Sequence, residues 1–209
     1  MPNTSKKANP TQEQELGNNS NSRKDQQYPP RSEINVSKYQ PTSETGEDPD
    51  MLDSEDGLRK LLCDNLKDLY WAENHLLKAL PKMASAASIQ ALQSGIMKHL
   101  EETTQQVKRL EQAFDLLGKP AQAKKCEAMQ GLTQEGEAVI ETTQPGSAAR
   151  NLGIIMASQK VEHYEMSAYT GLYKLALKLG EQDVADLLNQ TLAEETASDE
   201  SLAKIAEEI

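Results

Sequence analysis

Aromatic side chains are scarce in this chain. They make up 4% of its 209 residues, with a single tryptophan, Trp71, and a single phenylalanine, Phe114. The apolar residues are mostly leucine, alanine, isoleucine and methionine, which favour helices over sheets. Two cysteines, Cys63 and Cys126, are too few and too far apart for a disulfide framework, so we expect free thiols in a cytoplasmic protein. The composition predicts an all-α fold.

Long apolar runs and an excess of positive charge are also lacking. No run of about 18 apolar residues exists and the first residues contain no apolar stretch, so we expect neither a membrane span nor a secretory signal. The 22 lysines and arginines face 33 aspartates and glutamates, which gives a formal net charge of −11. Because binding to a nucleic-acid backbone needs clustered lysine and arginine, we expect no nucleic-acid partner.

Residues 1–52 differ from the rest of the chain, since they have scarcely any aliphatic side chain and no apolar period. Such a composition cannot bury enough apolar surface to offset the chain entropy that folding removes. We therefore predict a disordered polar tail over residues 1–52 and one folded domain over residues 53–209.

Four segments of this domain carry stripes with the alternating steps of three and four residues that a core-facing helix shows. Asp53 or Ser54 can cap the first helix and Ser88 the second, while Gly118 and Gly180 are placed to end the second and third long helices. The first two stripes contain Leu62, Leu66, Leu69, Glu73, Leu76, Leu80 and Met83, then Leu92, Ile96, His99, Thr103, Gln106, Leu110 and Ala113.

The connections between these segments are of two kinds. Two are tight, whereas residues 119–146 form a long crossover in which residues 126–140 have the pattern of a short additional helix. Two tight hairpins joined by one long crossover predict a ferritin-like antiparallel four-helix bundle.

Each of the four long helices has a glutamate where leucine would be usual: Glu73, Glu102, Glu165 and Glu195. In an antiparallel hairpin, residues equidistant from the turn lie at the same height. The midpoint of the first pair falls within one residue of Ser88, and the midpoint of the second pair falls on Gly180. The strings LEET at 100–103 and AEET at 193–196 also indicate that the hairpins are weak repeats. We therefore expect the four carboxylates to converge at one level of the bundle.

A buried carboxylate needs a compensating proton, cation or metal. Four of them at one level predict a site for two metal ions, of the kind that bundles build from paired helices. Oxygen-rich donor sets suit iron or manganese better than zinc. Other polar residues share the inner faces and are further candidates for ligands or their supports: His99, Gln106, Glu162 and Asp199.

The same residues also have a purely structural interpretation. A glutamate in an apolar stripe can extend its charge to the surface, and Glu194 can replace Glu195 on the inner face after a small rotation. His99 can be a hydrogen-bonded core histidine. Either Glu162 or Glu165, or both, can face the site.

Several short strings over residues 53–209 resemble the YciE/YciF family of bacterial ferritin-like stress proteins. They include DLYWAE from Asp68, HLEET from His99, QKVEHYE from Gln159 and LAEE from Leu192, followed by Asp199. The resemblance implies a rubrerythrin-like four-helix bundle, a homodimer, a cytoplasmic location, a link to stress, and a site for two iron or manganese ions.

One departure from the ferritin-like pattern concerns the nitrogen ligands. Ferritin-like two-metal proteins usually have a histidine three residues after the glutamate of the second and fourth helices. Here those positions hold Gln105 and Ser198, so a nitrogen ligand would have to come from His99 or His163. Glu135, in the crossover, is an additional candidate ligand.

Two functions compete on this basis. One is a two-metal oxidoreductase of the catalase or rubrerythrin kind, with peroxide or oxygen as a small-molecule oxidant. The other is a non-catalytic stress protein whose bundle binds metal for sequestration or stability, or binds none, and the missing histidines favour it. A DNA-protecting mini-ferritin fits poorly because the chain is acidic.

Overall fold

The computed structural model describes residues 54–209, and within this range the chain forms five helices and no strand. The predicted disordered tail, residues 1–52, lies outside the described residues. None of the described helices is both long enough and apolar enough to cross a membrane. The helices are α1 Glu55–Ala86, α2 Gln90–Leu116, α3 Glu127–Thr142, α4 Ala148–Lys178 and α5 Gln182–Glu207.

Three helix ends have the capping residues that the sequence predicts. The Ser54 hydroxyl accepts a hydrogen bond from the backbone N–H of Gly57 (3.2 Å) and so caps α1. Gly118 and Gly180 have φ values of 64° and 75°, which glycine adopts without steric cost, and they follow α2 and α4.

The predicted cap of α2 is wrong. The residue before α2 is Ile89, and no side chain caps this end. Ser88 lies one position too early, and its backbone N–H donates instead to Asn151 Oδ1 of α4 (2.9 Å). Ser88 thus ties the α1–α2 turn to the second hairpin.

The five helices form the predicted bundle. The short turns pack α1 against α2 and α4 against α5 as antiparallel hairpins, while α2 contacts α5 and α1 contacts α4. Helix α3 belongs to the crossover and packs on α1 and α4. The fold is therefore the all-α, ferritin-like four-helix bundle with one long crossover.

Two apolar clusters fill the bundle, one towards each end. The cluster near the α1–α2 turn includes Leu76, Leu80, Met83, Leu92, Ile96, Ile154, Ile155 and Leu202. The cluster near the α4–α5 turn includes Leu62, Leu66, Leu69, Leu110, Phe114, Leu172 and Leu188. Between them lies a band of buried polar side chains, hereafter the polar layer: Glu73, His99, Thr103, Gln106, Ser158, Glu162, Glu165 and Glu195.

Candidate metal centre

All four long helices contribute to the polar layer. Helix α4 supplies two acids because Glu162 and Glu165 are three residues apart and share its inner face. The exposed fraction is 0% for Glu73, Glu165 and Glu195, 2% for Glu162 and 3% for His99. Acidic side chains are rarely buried to this degree without a partner, so the layer requires an explanation.

Four of these side chains point at one another. One ligand atom each of His99, Glu162, Glu165 and Glu195 can be chosen so that all lie within 4.8 Å of one another. His99 Nδ1 is 3.7 Å from Glu195 Oε2 and 3.8 Å from Glu162 Oε1. His99 Nε2 is 4.0 Å from Glu165 Oε2. These separations exceed hydrogen-bond length, so His99 approaches the three carboxylates without a hydrogen bond to any of them.

Many oxygen and nitrogen atoms of the layer that could bind a metal have no hydrogen-bond partner among the described residues. Buried polar atoms in proteins are normally satisfied, and leaving one unsatisfied costs about 1–3 kcal/mol. Such a concentration of unused oxygen and nitrogen donors fits a metal ion, which would bond to several of them at once. The atoms are Glu73 Oε2, both nitrogens of His99, Gln106 Oε1, Ser158 Oγ, Glu162 Oε2, both oxygens of Glu165, and Glu195 Oε2.

Burial and crowding set the protonation of the layer. Burial and the neighbouring glutamates raise the pKa of Glu165 and of Glu195 well above the ordinary carboxyl value. Burial raises the pKa of Glu162 to about 7. Burial also lowers the pKa of His99 to about 4, so its imidazole is neutral near pH 7 and keeps a lone pair for a metal.

Hydrogen bonds from neighbouring side chains orient three of the carboxylates. Tyr169 Oη donates to Glu73 Oε1 at 2.5 Å. Gln106 Nε2 donates to Glu195 Oε1. Ser198 Oγ donates to Glu162 Oε1 at 2.9 Å. Each bond leaves the second oxygen of its carboxylate unused, which is the arrangement expected of a supported ligand.

Glu102 is the main difference from the sequence analysis. Its side chain is 22% exposed and pairs with Lys98, outside the group of four that centres on His99. The placement of Glu102 on the inner face is therefore corrected, while its role as a ligand stays a prediction. On α5, Glu194 pairs with Arg109. Of Glu194 and Glu195, it is therefore Glu195 that faces inward.

The remaining candidates also lie outside the group of four. His163 is 65% exposed and is 3.3 Å from Asp199 Oδ1. Asp199 also accepts a hydrogen bond from Gln159 (3.1 Å). Glu135 pairs with Lys160 at the surface, 2.5 Å away. Of the two histidines that the sequence left open, His99 belongs to the group of four and His163 does not.

Two residues of the site region had no assigned role in the sequence analysis. The hydroxyl of Tyr169 holds Glu73. Ser158 lines the layer from the same face of α4. The signal was present, because Ser158, Glu162, Glu165 and Tyr169 share one stripe of the helix.

Comparison with known proteins gives matches over the same part of the chain. Residues 57–209 match the family described as "Domain of unknown function (DUF892)". Protein YciF of Escherichia coli K12 is 42% identical over 142 residues, which are 68% of this chain and 85% of YciF. The crystal structure of the E. coli stress protein YciF aligns with a TM-score of 0.69 and 39% identity, over 71% of this chain and 94% of that one. YcfI from Rhodopseudomonas palustris aligns with a TM-score of 0.67 and 37% identity, over 70% and 92% of the two chains.

Proposed function

The chain belongs to the DUF892 family, and from this premise we propose that it is a ferritin-like stress-response protein whose polar layer binds two iron or manganese ions. The description of E. coli YciF as a stress protein supports the stress role. We place the protein in the cytoplasm because Cys63 and Cys126 form no disulfide within residues 54–209. A homodimer belongs to the same proposal.

The observation that carries the proposal is the set of buried donors without hydrogen-bond partners among the described residues. Both oxygens of Glu165 and both ring nitrogens of His99 belong to it. Protonation of the carboxyls alone would leave His99 unused, since its ring nitrogens are 3.7–4.0 Å from their oxygens, beyond hydrogen-bond length. A cation bonded to these atoms would satisfy imidazole and carboxylates together.

The charge of the layer supports two ions rather than one. Four buried carboxylates bring four negative charges when ionised, and two divalent cations would balance them. Arg109 is bonded to Glu194 and Thr191, and its charge acts on Glu73 but leaves the pKa of that carboxyl raised. The four carboxylates are those of Glu73, Glu162, Glu165 and Glu195.

The protonation states and the apolar surroundings of the layer suit the binding of redox metals. Iron or manganese, when bound, would supply electron transfer to peroxide or oxygen. His99 offers a neutral imidazole, and the carboxylates release their protons as the cations bind. The apolar clusters on both sides exclude bulk water, which strengthens every charge interaction within the layer.

Metal analysis tests the proposal directly. The protein is purified without chelator or affinity metal, loaded anaerobically with Fe²⁺ or Mn²⁺, and analysed for bound metal. We expect close to two ions per chain, and loss of most of them in Glu195→Gln. The matched control is Glu200→Gln, an exposed glutamate on the same helix, which should bind as the wild type does. A wild-type protein that retains no stoichiometric metal would contradict the proposal.

A non-catalytic role is the second candidate, and the single histidine of the layer favours it. Of the other two histidines, His163 is exposed and His75 bonds to Thr133 Oγ1 (2.9 Å). Bound metal that raises the melting temperature without any peroxide or oxygen consumption would assign this role. Consumption that needs iron or manganese and disappears in Glu195→Gln would assign the oxidoreductase.

A further inference from the structure

A groove between α2 and α5 leads from the surface to the polar layer. Its outer part has a volume of about 160 Å³, and its inner part is a cavity of about 10 Å³. Gly95, Ser198 and Leu202 line both parts, so the two parts lie directly against each other. The outer part is also lined by Lys98, Glu102, Ala197 and Ser201, and the inner part by His99, Ser158 and Glu162.

The inner cavity ends on unused polar atoms. Its volume is close to the roughly 10–15 Å³ that a single water molecule needs. Ser158 Oγ, Glu162 Oε2 and the nitrogens of His99 have no hydrogen-bond partner within residues 54–209. A small cation that passed this point would therefore meet the ligands of the layer at once.

The outer end of the groove carries one ion pair. Glu102 and Lys98 are paired one helical turn apart, and the Lys98 side chain is 64% exposed. Exposed ion pairs are worth little, so the lysine can move aside at small cost.

Small side chains keep the middle of the groove open. Gly95 lines both parts of the groove, and a Cβ atom there would meet only Ile205 Cδ1, at 3.6 Å. Across from it, Ser198 occupies the position where ferritin-like two-metal proteins usually have a histidine. A histidine there would occupy the space that the serine leaves.

We propose that this groove is the route by which a divalent cation reaches the polar layer, and that Glu102 is the first carboxylate that the cation meets. The proposal rests on the metal binding proposed above. The cation exchanges places with the Lys98 ammonium at Glu102, passes Gly95 and Ser198, and is taken up by Glu162 and His99. Glu102 is thereby a transit ligand and does not belong to the final site.

Closing the groove should slow uptake without changing capacity. The test follows the uptake of Co²⁺ by the metal-free full-length protein, using visible absorbance in a stopped-flow instrument and bound metal at equilibrium. Gly95→Leu should take up Co²⁺ about tenfold more slowly and reach the wild-type stoichiometry, because passage would then require the helices to move. Gly171→Leu is the matched control, since Gly171 is also a helical glycine and a Cβ there meets nothing within 4 Å. Equal rates for the two variants would overturn the route.

The role of Glu102 is tested by removing its charge. Glu102→Gln should slow uptake about tenfold at low ionic strength and little at high ionic strength, with stoichiometry unchanged. Glu101→Gln, the exposed neighbour, should keep the wild-type rate. Loss of stoichiometry in Glu102→Gln would overturn the transit role, because Glu102 would then be a ligand of the final site. A wild-type protein that binds no Co²⁺ refutes the metal site itself, whereas normal binding with unchanged rates refutes only the route.

Discussion

The two hairpins of the bundle contribute unequally to the polar layer. The α4–α5 hairpin places three acids there, Glu162, Glu165 and Glu195, whereas the α1–α2 hairpin places Glu73 and His99. The short repeated strings indicated equivalent halves with one glutamate per helix. The difference shows that equal height along a bundle does not mean the same face of the helix.

The position of Glu102 shows the reason for this inequality. The buried stripe of α2 passes through His99, Thr103 and Gln106. Glu102 precedes Thr103 by one residue, which turns its side chain about 100° around the helix axis. Glu102 therefore has the height that the hairpin symmetry predicts but faces the groove, and His99 occupies the inner face instead.

The hairpins are nevertheless joined by reciprocal hydrogen bonds. Tyr169 of α4 holds Glu73 of α1, and Gln106 of α2 holds Glu195 of α5. Each hairpin thus orients a carboxylate of the other. The acid-rich and the acid-poor hairpin depend on each other for the geometry of the layer.

The crowding of acidic side chains should make the free energy of unfolding of the metal-free protein depend on pH. Burial raises the pKa of Glu162 from 4.5 to about 7, so the folded state keeps a proton that the unfolded chain releases. The free energy of unfolding should therefore fall as the pH rises from 4.5 to about 7, by about 3 kcal/mol for this carboxyl alone. Urea denaturation in EDTA between about pH 5 and about pH 8 measures the effect.

Bound Mn²⁺ should remove most of this decline, because the cation replaces the protons that the carboxyls lose. In the metal-free protein, Glu165→Gln should make the free energy of unfolding depend less on pH, because it removes one of the acidic side chains that repel each other. A free energy of unfolding that does not change over this pH range would contradict the described crowding of acids.

The proposed role of His99 as the nitrogen ligand from the α1–α2 hairpin is tested with His99→Gln. Its affinity for Mn²⁺ should fall by more than about a hundredfold, the upper end of the effect of removing a residue that only supports a ligand. The matched control is His163→Gln, because His163 is 65% exposed and outside the group of four. Calorimetric titration gives both affinities, and equal values would exclude His99 as a ligand.

The fold and the height of the site could be predicted because both follow from spacing along one helix. The stripes predicted for the first two helices coincide with the buried faces of α1 and α2, and Gly118 and Gly180 lie with positive φ where the helices were expected to end. The ligand roles of Glu73, Glu165 and Glu195 stay predictions.

The rest depends on how helices are rotated against each other. The bond from Tyr169 to Glu73 joins α4 to α1 and needs the relative rotation of both. Spacing within a single helix does not contain that information.

The two hairpins should also differ in what an apolar replacement does to stability. Both oxygens of Glu165 lack a partner among the described residues, so Glu165→Leu should stabilise the metal-free protein at about pH 8 by about 2 kcal/mol. Glu73→Leu should stabilise the metal-free protein little, because it leaves the buried Tyr169 hydroxyl without its hydrogen-bond acceptor. Melting temperatures in EDTA compare the two variants, and an equal gain would contradict the difference between the hairpins. Neither variant should bind two ions.

The smallest effect concerns the reciprocal bonds, and it tests whether the hairpins support each other equally. Gln106→Leu and Tyr169→Phe each remove one donor to a carboxylate of the opposite hairpin, and each should lower Mn²⁺ affinity about tenfold. Gln112→Leu, at an exposed position of α2, is the control and should leave the affinity unchanged. The two losses should add in the double variant, because the bonds orient different carboxylates. If only Gln106→Leu weakens binding, the metal is held by the group around His99 and Glu195, and Glu73 serves the fold rather than the ions.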